Sequence, residues 1–379
     1  MTRPRRWVLG VDSGGSGLRI ALGSVRDGDA GGAAGGGHGG GGRRDGGSEH
    51  GDRRDGGAVA PGCRVLTVAI HEIGEPLPTG PGGIDAGRLL ERLVPTARRL
   101  LAEAGAADAG ATGASEEGRA AARGPVAVAV GAAGTAGLGD RLRAELPGAL
   151  RETLGVGRLA LASDAVTAYA GALGPRPGTV VAAGTGLVAL GTDLVRWRRA
   201  DGWGHLLGDC GSGAWIGRAG LEAALRAHDG RRGGSAALLA RAETVFGPVA
   251  GLPGALYPRP DRAAVLASFA PHVARCAAET GDPVAAGVMA LAARHVAEAA
   301  AAVHPREGGG VVALTGGLCH LGDPLLVPLR AELGRHLPGT RTVPAAGDPL
   351  SGALALAGWL AEGVVPLPRE PGLLDTYGE

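Results

Sequence analysis

The chain has 379 residues, a length that suits two domains of ordinary size. Its formal net charge is +1 and 20% of its residues are charged, so its electrostatics favour neither nucleic acid nor an anionic membrane as a partner. Lys, Asn and Gln are absent. This absence excludes a P-loop of the Gly-Lys-Ser/Thr type, the strand lysine of protein kinases and any Schiff-base lysine.

The cysteines argue against a metal or disulfide scaffold. There are four, at Cys63, Cys210, Cys276 and Cys319, and they form no Cys-x-x-Cys pair. No run of about 18 apolar residues is free of charges and glycines, and the N-terminus leads into a strand-like segment instead of a signal-peptide core. We therefore expect a cytoplasmic protein that binds small polar ligands and has no membrane or nucleic acid partner.

The first predicted element is a strand that ends in a carboxylate. The segment from Trp7 is apolar up to Asp12, and a second strand follows over Leu18 to Leu22. The turn between them contains Gly14, Gly15 and Ser16. Glycines let a backbone approach a ligand closely, and a hydroxyl adds a donor. The pattern predicts a phosphate-binding hairpin, with Asp12 placed to hold a hydrated Mg²⁺.

Two low-complexity segments interrupt the first half of the chain. Residues 27–62 are dominated by glycine with scattered charges, and residues 108–123 form a second such insertion. Both contain too few apolar groups to offset the entropy of ordering, so we expect both to be disordered. The segments around them read as a strand, a helix from about Asp85 to Ala104, and a buried strand over Pro125 to Val130.

Asp164 follows a short predicted strand over Leu159 to Ser163 and opens a helix. One interpretation is a helix N-cap, a position that Asp fills well. The other is a general base, because a hydroxyl is a poor nucleophile at neutral pH and a nearby carboxylate can accept its proton. The same residue can do both.

The second half begins with another strand, turn and strand. The buried run that starts at Thr179 ends in Gly184, Thr185 and Gly186, and a second strand runs from Leu187 to Gly191. The alternative to phosphate binding is a plain hairpin whose glycines only supply positive φ. Two such hairpins in one chain favour a pair that clamps a polyphosphate.

A polar loop follows this hairpin and leads into a helix capped by Ser212. Trp203 between two glycines fits either a core position or a platform for the apolar face of a sugar. Asp209 can form an Asx-type turn. Further on, Gly316 and Gly317 follow a buried strand over Val311 to Thr315, where bare backbone suits a nucleotide's adenine and ribose.

These motifs occur in an order that resembles a known family. They are Asp12-Ser13-Gly14-Gly15-Ser16, Ser163-Asp164-Ala165, Ala183-Gly184-Thr185-Gly186, Gly202-Trp203-Gly204-His205-Leu206-Leu207-Gly208-Asp209, Gly211-Ser212 and Thr315-Gly316-Gly317. The set resembles the N-acetylglucosamine kinase branch of the BadF/BadG/BcrA/BcrD ATPase family, in the actin, hexokinase and Hsp70 superfamily. The resemblance implies an α/β fold of two ribonuclease H-like domains, each with a mixed five-stranded sheet, around an interdomain cleft. The expected boundaries are 1–175 and 176–348, with 349–379 as a helix returning to the first domain and a tail.

The same resemblance implies an activity and roles for residues. The expected reaction is Mg²⁺- and ATP-dependent phosphorylation of an amino sugar, foremost N-acetylglucosamine at its 6-hydroxyl. Asp164 would be the base and Asp12 would hold Mg²⁺ through water. The phosphate and adenosine contacts would come from Gly14, Gly15, Ser16, Gly184, Thr185, Gly186, Gly316 and Gly317, and the sugar contacts from Gly202, Trp203 and Asp209. A homodimer is left open.

The chain also departs from the family pattern. Cys210 replaces a Glu, Ala214 a Tyr and Leu187 a Ser, and the asparagine that contacts the sugar has no counterpart. Two other functions therefore stay open. One is an ATPase that drives a partner protein, as in the iron–sulfur activators of the broader family, and the other is a sugar or nucleotide sensor without catalysis.

Overall fold

The structure is a computed structural model that describes residues 6–14, 17–26, 64–75, 77, 79–80, 83–112, 124–134, 139–306 and 310–378. The insertion expected at residues 27–62 lies outside this part of the chain, as do residues 113–123 of the second one. Gly15 and Ser16 of the first predicted phosphate hairpin also lie outside it.

The first sheet contains six strands within the described residues. They are β1 (Arg6–Gly14), β2 (Gly17–Arg26), β3 (Arg64–Ile73), β6 (Ala127–Ala132), β7 (Arg158–Ser163) and β13 (Leu374–Tyr377). Their spatial order is β13-β7-β6-β1-β2-β3, and β1, β6 and β7 are parallel. Two very short strands, β4 (Thr79–Gly80) and β5 (Gly83–Ile84), pair only with each other. The expectation of five strands is wrong here, because the C-terminal tail adds β13 antiparallel to β7.

The second sheet contains five strands in the described part of the chain, as expected. They are β8 (Gly178–Ala183), β9 (Leu187–Thr192), β10 (Trp197–Asp201), β11 (Val311–Thr315) and β12 (Thr342–Pro344). Their order, β10-β9-β8-β11-β12, repeats the order β3-β2-β1-β6-β7 of the first sheet. In both sheets an antiparallel three-strand meander is followed by two strands parallel to its first strand. One topology is therefore used twice.

Helices cover both sheets. They are α1 (Ala86–Thr112), α2 (Asp140–Leu154), α3 (Asp164–Leu173), α4 (Gly213–His228), α5 (Ala236–Phe246), α6 (Leu252–Leu256), α7 (Arg262–Ser268), α8 (Ala270–Glu279), α9 (Pro283–Val303), α10 (Asp323–His336) and α11 (Pro349–Ala361). α1 runs to Thr112, so it continues past the predicted end at Ala104 and into the expected second insertion.

The helix α9 is long and apolar enough to cross a membrane by length and composition alone. Its side chains Met289, Ala293 and Val296 are buried in the hydrophobic core of the second sheet, together with Phe269 of the α7–α8 connection. α9 therefore serves as a core helix of the second sheet in this fold.

Between the two sheets, α3 and α11 pack at backbone contact. A Cβ added at Gly352 of α11 would lie 1.9 Å from the carbonyl oxygen of Thr167, and one at Gly171 of α3 would lie 2.1 Å from that of Asp348. Such distances are far below van der Waals contact, so both positions require glycine. The two helices share one buried cluster with residues of both sheets, for example Ala129 and Val180. This crossing joins the two sheets through one shared core.

Candidate active site between the two sheets

The parallel strands of the first sheet end along one edge. In the register of β1, β6 and β7, Asp12 lies beside Gly131, and Gly131 lies beside Ala162. Asp164 follows two residues after Ala162, directly at the end of β7. Because the carboxyl ends of parallel strands meet at one edge of a sheet, this arrangement brings the carboxylates of Asp12 and Asp164 to the same side.

Asp164 is not the N-cap of α3. Ser163 is the cap, because it has extended backbone angles and its Oγ accepts a hydrogen bond from the N–H of Val166 at 3.3 Å. Asp164 is the first residue of the helix, and its Oδ1 accepts the N–H of Ala165 at 2.9 Å. No side chain among the described residues donates to this carboxylate, so it remains available to a substrate.

The surroundings of Asp164 raise its pKa to about 6. Burial is the main cause, since protein replaces the water that would solvate the charge. The nearby charge of Asp12 raises this pKa further, whereas the Arg199 guanidinium on β10 of the second sheet lowers it. Asp164 therefore senses charges on both sheets. A carboxylate with a pKa near 6 is ionised at neutral pH and is a stronger proton acceptor than an ordinary Asp.

Asp12 is tied to the last helix through Arg19. The guanidinium of Arg19 donates to Asp12 Oδ2 from Nε at 3.1 Å and from a terminal nitrogen at 2.6 Å, and its other terminal nitrogen donates to Asp348 Oδ2 at 2.6 Å. Asp348 is the N-cap of α11 and accepts the N–H of Ser351. Burial raises the pKa of Asp12, although the contact with Arg19 opposes this. One arginine thus joins the strand end to the helix crossing.

The geometry of Asp12 fits a hydrated Mg²⁺. Arg19 occupies Oδ2, and no described residue donates a hydrogen bond to Oδ1. Among the described residues, no group of three or more His, Cys, Asp or Glu side chains could hold a metal by itself. Mg²⁺ keeps several waters and is usually held by one or two carboxylates together with substrate phosphates. The chain therefore offers an anchoring carboxylate and not a complete metal cage.

The second hairpin is fastened to α4. The N–H of Gly213 donates to the carbonyl of Gly184 at 2.8 Å, and the N–H of Ala214 donates to that of Thr185 at 3.0 Å. Neither Gly184 nor Gly186 has positive φ, so the interpretation of a plain positive-φ turn is wrong. Gly186 is required for another reason, because a Cβ there would lie 2.6 Å from Asp209 Oδ2. Thr185 is exposed at the tip.

Gly316 and Gly317 lie against this hairpin. Gly316 has a φ of 96°, and a Cβ there would lie 2.4 Å from the carbonyl oxygen of Ala183 at the end of β8. A Cβ at Gly184 would lie 4.0 Å from the nitrogen of Gly317. The structure therefore brings the two predicted nucleotide segments of the second sheet together. On the first sheet, Gly14 ends β1 with open space where its side chain would be.

The loop after β10 is held by two aspartates. Asp201 accepts the N–H groups of Asp209 at 2.5 Å and Cys210 at 2.9 Å. Asp209 has a φ of 54°, is buried, and its Oδ1 accepts the N–H of Gly204 at 3.1 Å. Burial raises the pKa of Asp209, and the Gly204 contact opposes the increase. Asp209 thus has the turn-forming role that the sequence left open, and a sugar contact would have to use its remaining acceptor capacity.

Trp203 is 70% exposed, so the interpretation as a core residue is wrong. The guanidinium carbon of Arg199 lies 5.4 Å from the centroid of its ring, a cation–π distance. A terminal nitrogen of Arg199 also donates to the carbonyl of Gly202 at 2.6 Å. The Arg199 cation therefore lies over one face of an exposed aromatic ring, in the loop that follows β10 of the second sheet.

Comparison with known proteins identifies the family. A family model described as the BadF/BadG/BcrA/BcrD ATPase family matches residues 9–354. The chain belongs to this family.

The relatives of this BadF-family chain include sugar kinases. An N-acetylmuramic acid/N-acetylglucosamine kinase of Clostridium acetobutylicum is 40% identical over 77 residues, which are 20% of this chain and 25% of that protein. The chain thus matches about a quarter of the length of this curated relative. A protein of Chromobacterium violaceum, provisionally described as an N-acetylglucosamine kinase, has a TM-score of 0.56 at 25% identity, with 92% of this chain and 98% of that one covered.

A second structure shows the same fold at lower identity. A protein of Porphyromonas gingivalis with the same provisional description has a TM-score of 0.57 at 16% identity, with 92% and 97% of the two chains covered. The predicted family and the α/β fold of two repeated sheets are therefore confirmed. This BadF-family member is thus similar, in sequence and in fold, to proteins described as sugar kinases.

At some positions this BadF-family chain differs from the family pattern, and the structure shows what surrounds the residues found there. Leu187 is buried in the core of the second sheet, so its side chain packs where a serine hydroxyl would otherwise be. Cys210 is a free, partly exposed thiol beside Asp201, and burial followed by the Asp201 charge raises its pKa. Cys319 is also free and partly exposed. Raised thiol pKa values do not favour metal ligation at neutral pH.

Sequence reasoning missed two arginines of this site. Arg19 had a detectable signal, because it is the charge inside an apolar strand and lies opposite Asp12 in the hairpin register. Arg199 had none, since it is one of three arginines around Trp197 and nothing in the sequence distinguishes it from the other two. The predicted residues Gly184, Thr185, Gly186, Gly316 and Gly317 come together on one sheet, and Asp12 and Asp164 on the other.

Proposed function

We propose that this chain is an ATP-dependent kinase of amino sugars. Its main substrate in this proposal is N-acetylglucosamine, which it phosphorylates at the 6-hydroxyl. The observation that carries the proposal is Asp164, a carboxylate with a pKa of about 6 that faces charges on both sheets and has no side-chain donor among the described residues. Family membership and the Chromobacterium violaceum structure at 25% identity support a phosphotransfer to sugar. As part of the proposal, the enzyme works in the cytoplasm.

In this proposal, different residues contact the substrate hydroxyl, the metal ion and the phosphates. The substrate hydroxyl lies within hydrogen-bond distance of Asp164, which accepts its proton while the oxygen attacks the γ-phosphorus of ATP. The bond from this phosphorus to the β,γ-bridging oxygen breaks, and ADP leaves. Asp12 would hold Mg²⁺ through water, and the ion would neutralise charge on the phosphates when bound. Gly14, Thr185 and the glycines beside it bind phosphate.

The remaining contacts orient the two substrates. Gly316 and Gly317 leave space for adenosine, since neither has a side chain in the way. Trp203 packs on the sugar ring, and Gly202 and Asp209 contribute polar contacts. Closure of the two domains on the substrates would exclude water and so limit hydrolysis of ATP. Gly15 and Ser16 remain predicted phosphate contacts of the first hairpin.

A coupled assay of ADP release tests this proposal. Purified enzyme with Mg²⁺ and ATP is assayed against N-acetylglucosamine, N-acetylmuramic acid, glucose, mannose and glucosamine, with no sugar as the blank. We expect sugar-dependent turnover that Asp164→Asn lowers by about 10²- to 10⁴-fold. Asp193→Asn is the matched control, because Asp193 is in an exposed turn where it accepts the N–H groups of Val195 and Arg196.

Two results would reject the kinase. One is ATP hydrolysis that no sugar stimulates, which would point to a partner-driving ATPase. The other is sugar binding by calorimetry without any ADP release, which would point to a sensor. An Asp164→Asn variant as active as its parent would remove Asp164 as the base but leave the reaction class intact.

A further inference from the structure

The C-terminal tail (residues 367–377) contacts both sheets. On the first sheet, its strand β13 pairs antiparallel with β7. Just before β13, the carbonyl of Leu373 accepts the N–H of Ser163 at 2.8 Å. The tail therefore reaches the residue that directly precedes Asp164.

Trp197, the first residue of β10, holds the tail to the second sheet. Its backbone N–H donates to Glu370 Oε1 at 2.8 Å, and its indole nitrogen donates to the carbonyl of Pro368 at 2.7 Å. The buried Trp197 ring also packs edge-on against Tyr169 of α3, with ring centroids 5.1 Å apart. Since α3 begins at Asp164, Trp197 contacts both the tail and the helix that carries the proposed base.

One turn of the tail joins its contacts with the two sheets. The N–H groups of Leu373 and Leu374 donate to the carbonyl of Glu370 at 3.0 and 2.9 Å. Leu374 is buried in the hydrophobic cluster that also contains Trp197. Because the hydrogen-bonded turn fixes the spacing between Glu370 and Leu373, a displacement of one residue is passed to the other.

Ser163 is the point at which the tail acts on the candidate site. Its N–H donates to Leu373, and its Oγ accepts the N–H of Val166 as the N-cap of α3. These two bonds hold Ser163 between β7 and α3, and so they fix the direction in which Asp164 leaves the strand. A displacement of about 1 Å at a reacting group can cost about 100-fold in rate, so this support matters for catalysis.

We propose that Glu370 is a positioning residue that couples the second sheet to Asp164, through the turn of the tail and the Leu373 carbonyl. The inference rests on the proposed function, in which Asp164 accepts the proton of the sugar hydroxyl. Trp197 pairs with Thr192, at the opposite end of β9 from the hairpin that is assigned to the phosphates of ATP. The coupling therefore acts on the proton acceptor and not on nucleotide binding.

The test compares Glu370→Ala, Glu370→Gln and the parent. Gln keeps a side-chain oxygen that can accept the Trp197 N–H, whereas Ala removes it. Glu243→Ala is the matched control, because Glu243 is exposed on α5. For each protein, the ADP-release assay gives kcat and the KM for ATP with N-acetylglucosamine as the sugar. Hydrogen exchange in D₂O, followed by mass spectrometry without substrates, measures the peptide that contains Ser163.

We expect Glu370→Ala to lower kcat by about 10-fold and to leave the KM for ATP within about 2-fold of the parental value. Glu370→Gln should restore most of the kcat. In Glu370→Ala the Ser163 N–H should exchange about 10-fold faster, while peptides of the core helix α9 should exchange at the parental rate. Glu243→Ala should match the parent in all of these measurements.

Other outcomes overturn the inference in distinguishable ways. Exchange that is faster in α9 as well as at Ser163 would mean that Glu370 only stabilises the whole fold. A kcat that falls as far in Glu370→Gln as in Glu370→Ala would refute a coupling through the hydrogen bond. A raised KM for ATP with an unchanged kcat would place the effect on nucleotide binding.

The exchange measurement also separates this inference from the proposed function. If no sugar is turned over by the parent, the kinase proposal fails, but the coupling is still tested. An unchanged exchange rate at Ser163 in Glu370→Ala would then refute the coupling, and a local increase would support a tail that links the two sheets.

Discussion

Replacing Asp164 by Asn should stabilise the protein while it lowers activity. In the folded chain the pKa of Asp164 is about 6, whereas an unburied Asp has an ordinary value of 3.8. The difference of about two pKa units corresponds to about 3 kcal/mol, at 1.36 kcal/mol per unit. This is the free energy by which burial and the nearby Asp12 charge disfavour the ionised form in the native state.

The sign follows from proton linkage. Because the pKa is raised on folding, the native state binds this proton more tightly than the unfolded chain does between pH 3.8 and about 6. The associated stability is fully present below pH 3.8 and is lost as the pH rises through 6. Asp164→Asn carries no charge at any of these pH values. Its advantage in free energy of unfolding over the parent should therefore grow by about 1.4 kcal/mol between pH 5 and pH 8.

Urea denaturation followed by circular dichroism at pH 5, 6, 7 and 8 measures this advantage. The control is Asp193→Asn, because the backbone N–H groups of Arg196 and Val195 lower the pKa of Asp193 and the linkage has the opposite sign. The kcat/KM of the parent should in parallel fall below a pH of about 6, as the proposed base is protonated. An advantage for Asp164→Asn that is constant with pH, or that shrinks as the pH rises, would refute the reasoning.

Three further predictions concern other parts of the structure. Gly352→Ala places a methyl group 1.9 Å from the Thr167 carbonyl oxygen, so it should lower the free energy of unfolding by about 1–3 kcal/mol. Gly287→Ala in α9 adds a methyl group in open space, so it should raise the free energy of unfolding by about 0.5–1 kcal/mol. Urea denaturation measures both changes. Arg19→Ala leaves the buried Asp12 carboxylate without its partner and should lower the free energy of unfolding by about 2 kcal/mol. Calorimetry should show this loss as a lower melting temperature. Trp203→Ala should alter the free energy of unfolding by less than about 0.5 kcal/mol, because the ring is exposed, but raise the KM for sugar in the ADP-release assay.

The repeated hairpins could be predicted because their signals are local. Apolar runs bounded by glycine mark β1, β2, β8 and β9, and the order of the motifs carries the family. The tail strand β13 could not be predicted, since its four residues gain their partner only from β7, more than 200 residues earlier. The break between α7 and α8 at Phe269, where Pro271 follows, likewise separates two helices in residues 261–279.

Some residues of the candidate site could also be predicted from the sequence, and others could not. Asp12 lies near the end of β1 and Asp164 directly follows β7, positions that the sequence makes visible, and in the structure both are at the same sheet edge. The choice between Ser163 and Asp164 as the cap of α3 depends on backbone angles that both residue types allow. Arg199 contacts Gly202 and Trp203, which follow within four residues, but the Asp164 carboxylate whose pKa it lowers follows a strand of the other sheet and is distant in sequence.

The bonds from Gly213 and Ala214 to the hairpin carbonyls set the size of the unit that can be exchanged between relatives. These bonds use N–H groups at the start of α4. Asp209 in the intervening loop packs against Gly186, where a Cβ would lie 2.6 Å from Asp209 Oδ2. A chimera that grafted only residues 202–212 from another kinase would meet a hairpin built for a different loop. Transplants that alter sugar choice should therefore carry the whole segment from β8 to the end of α4.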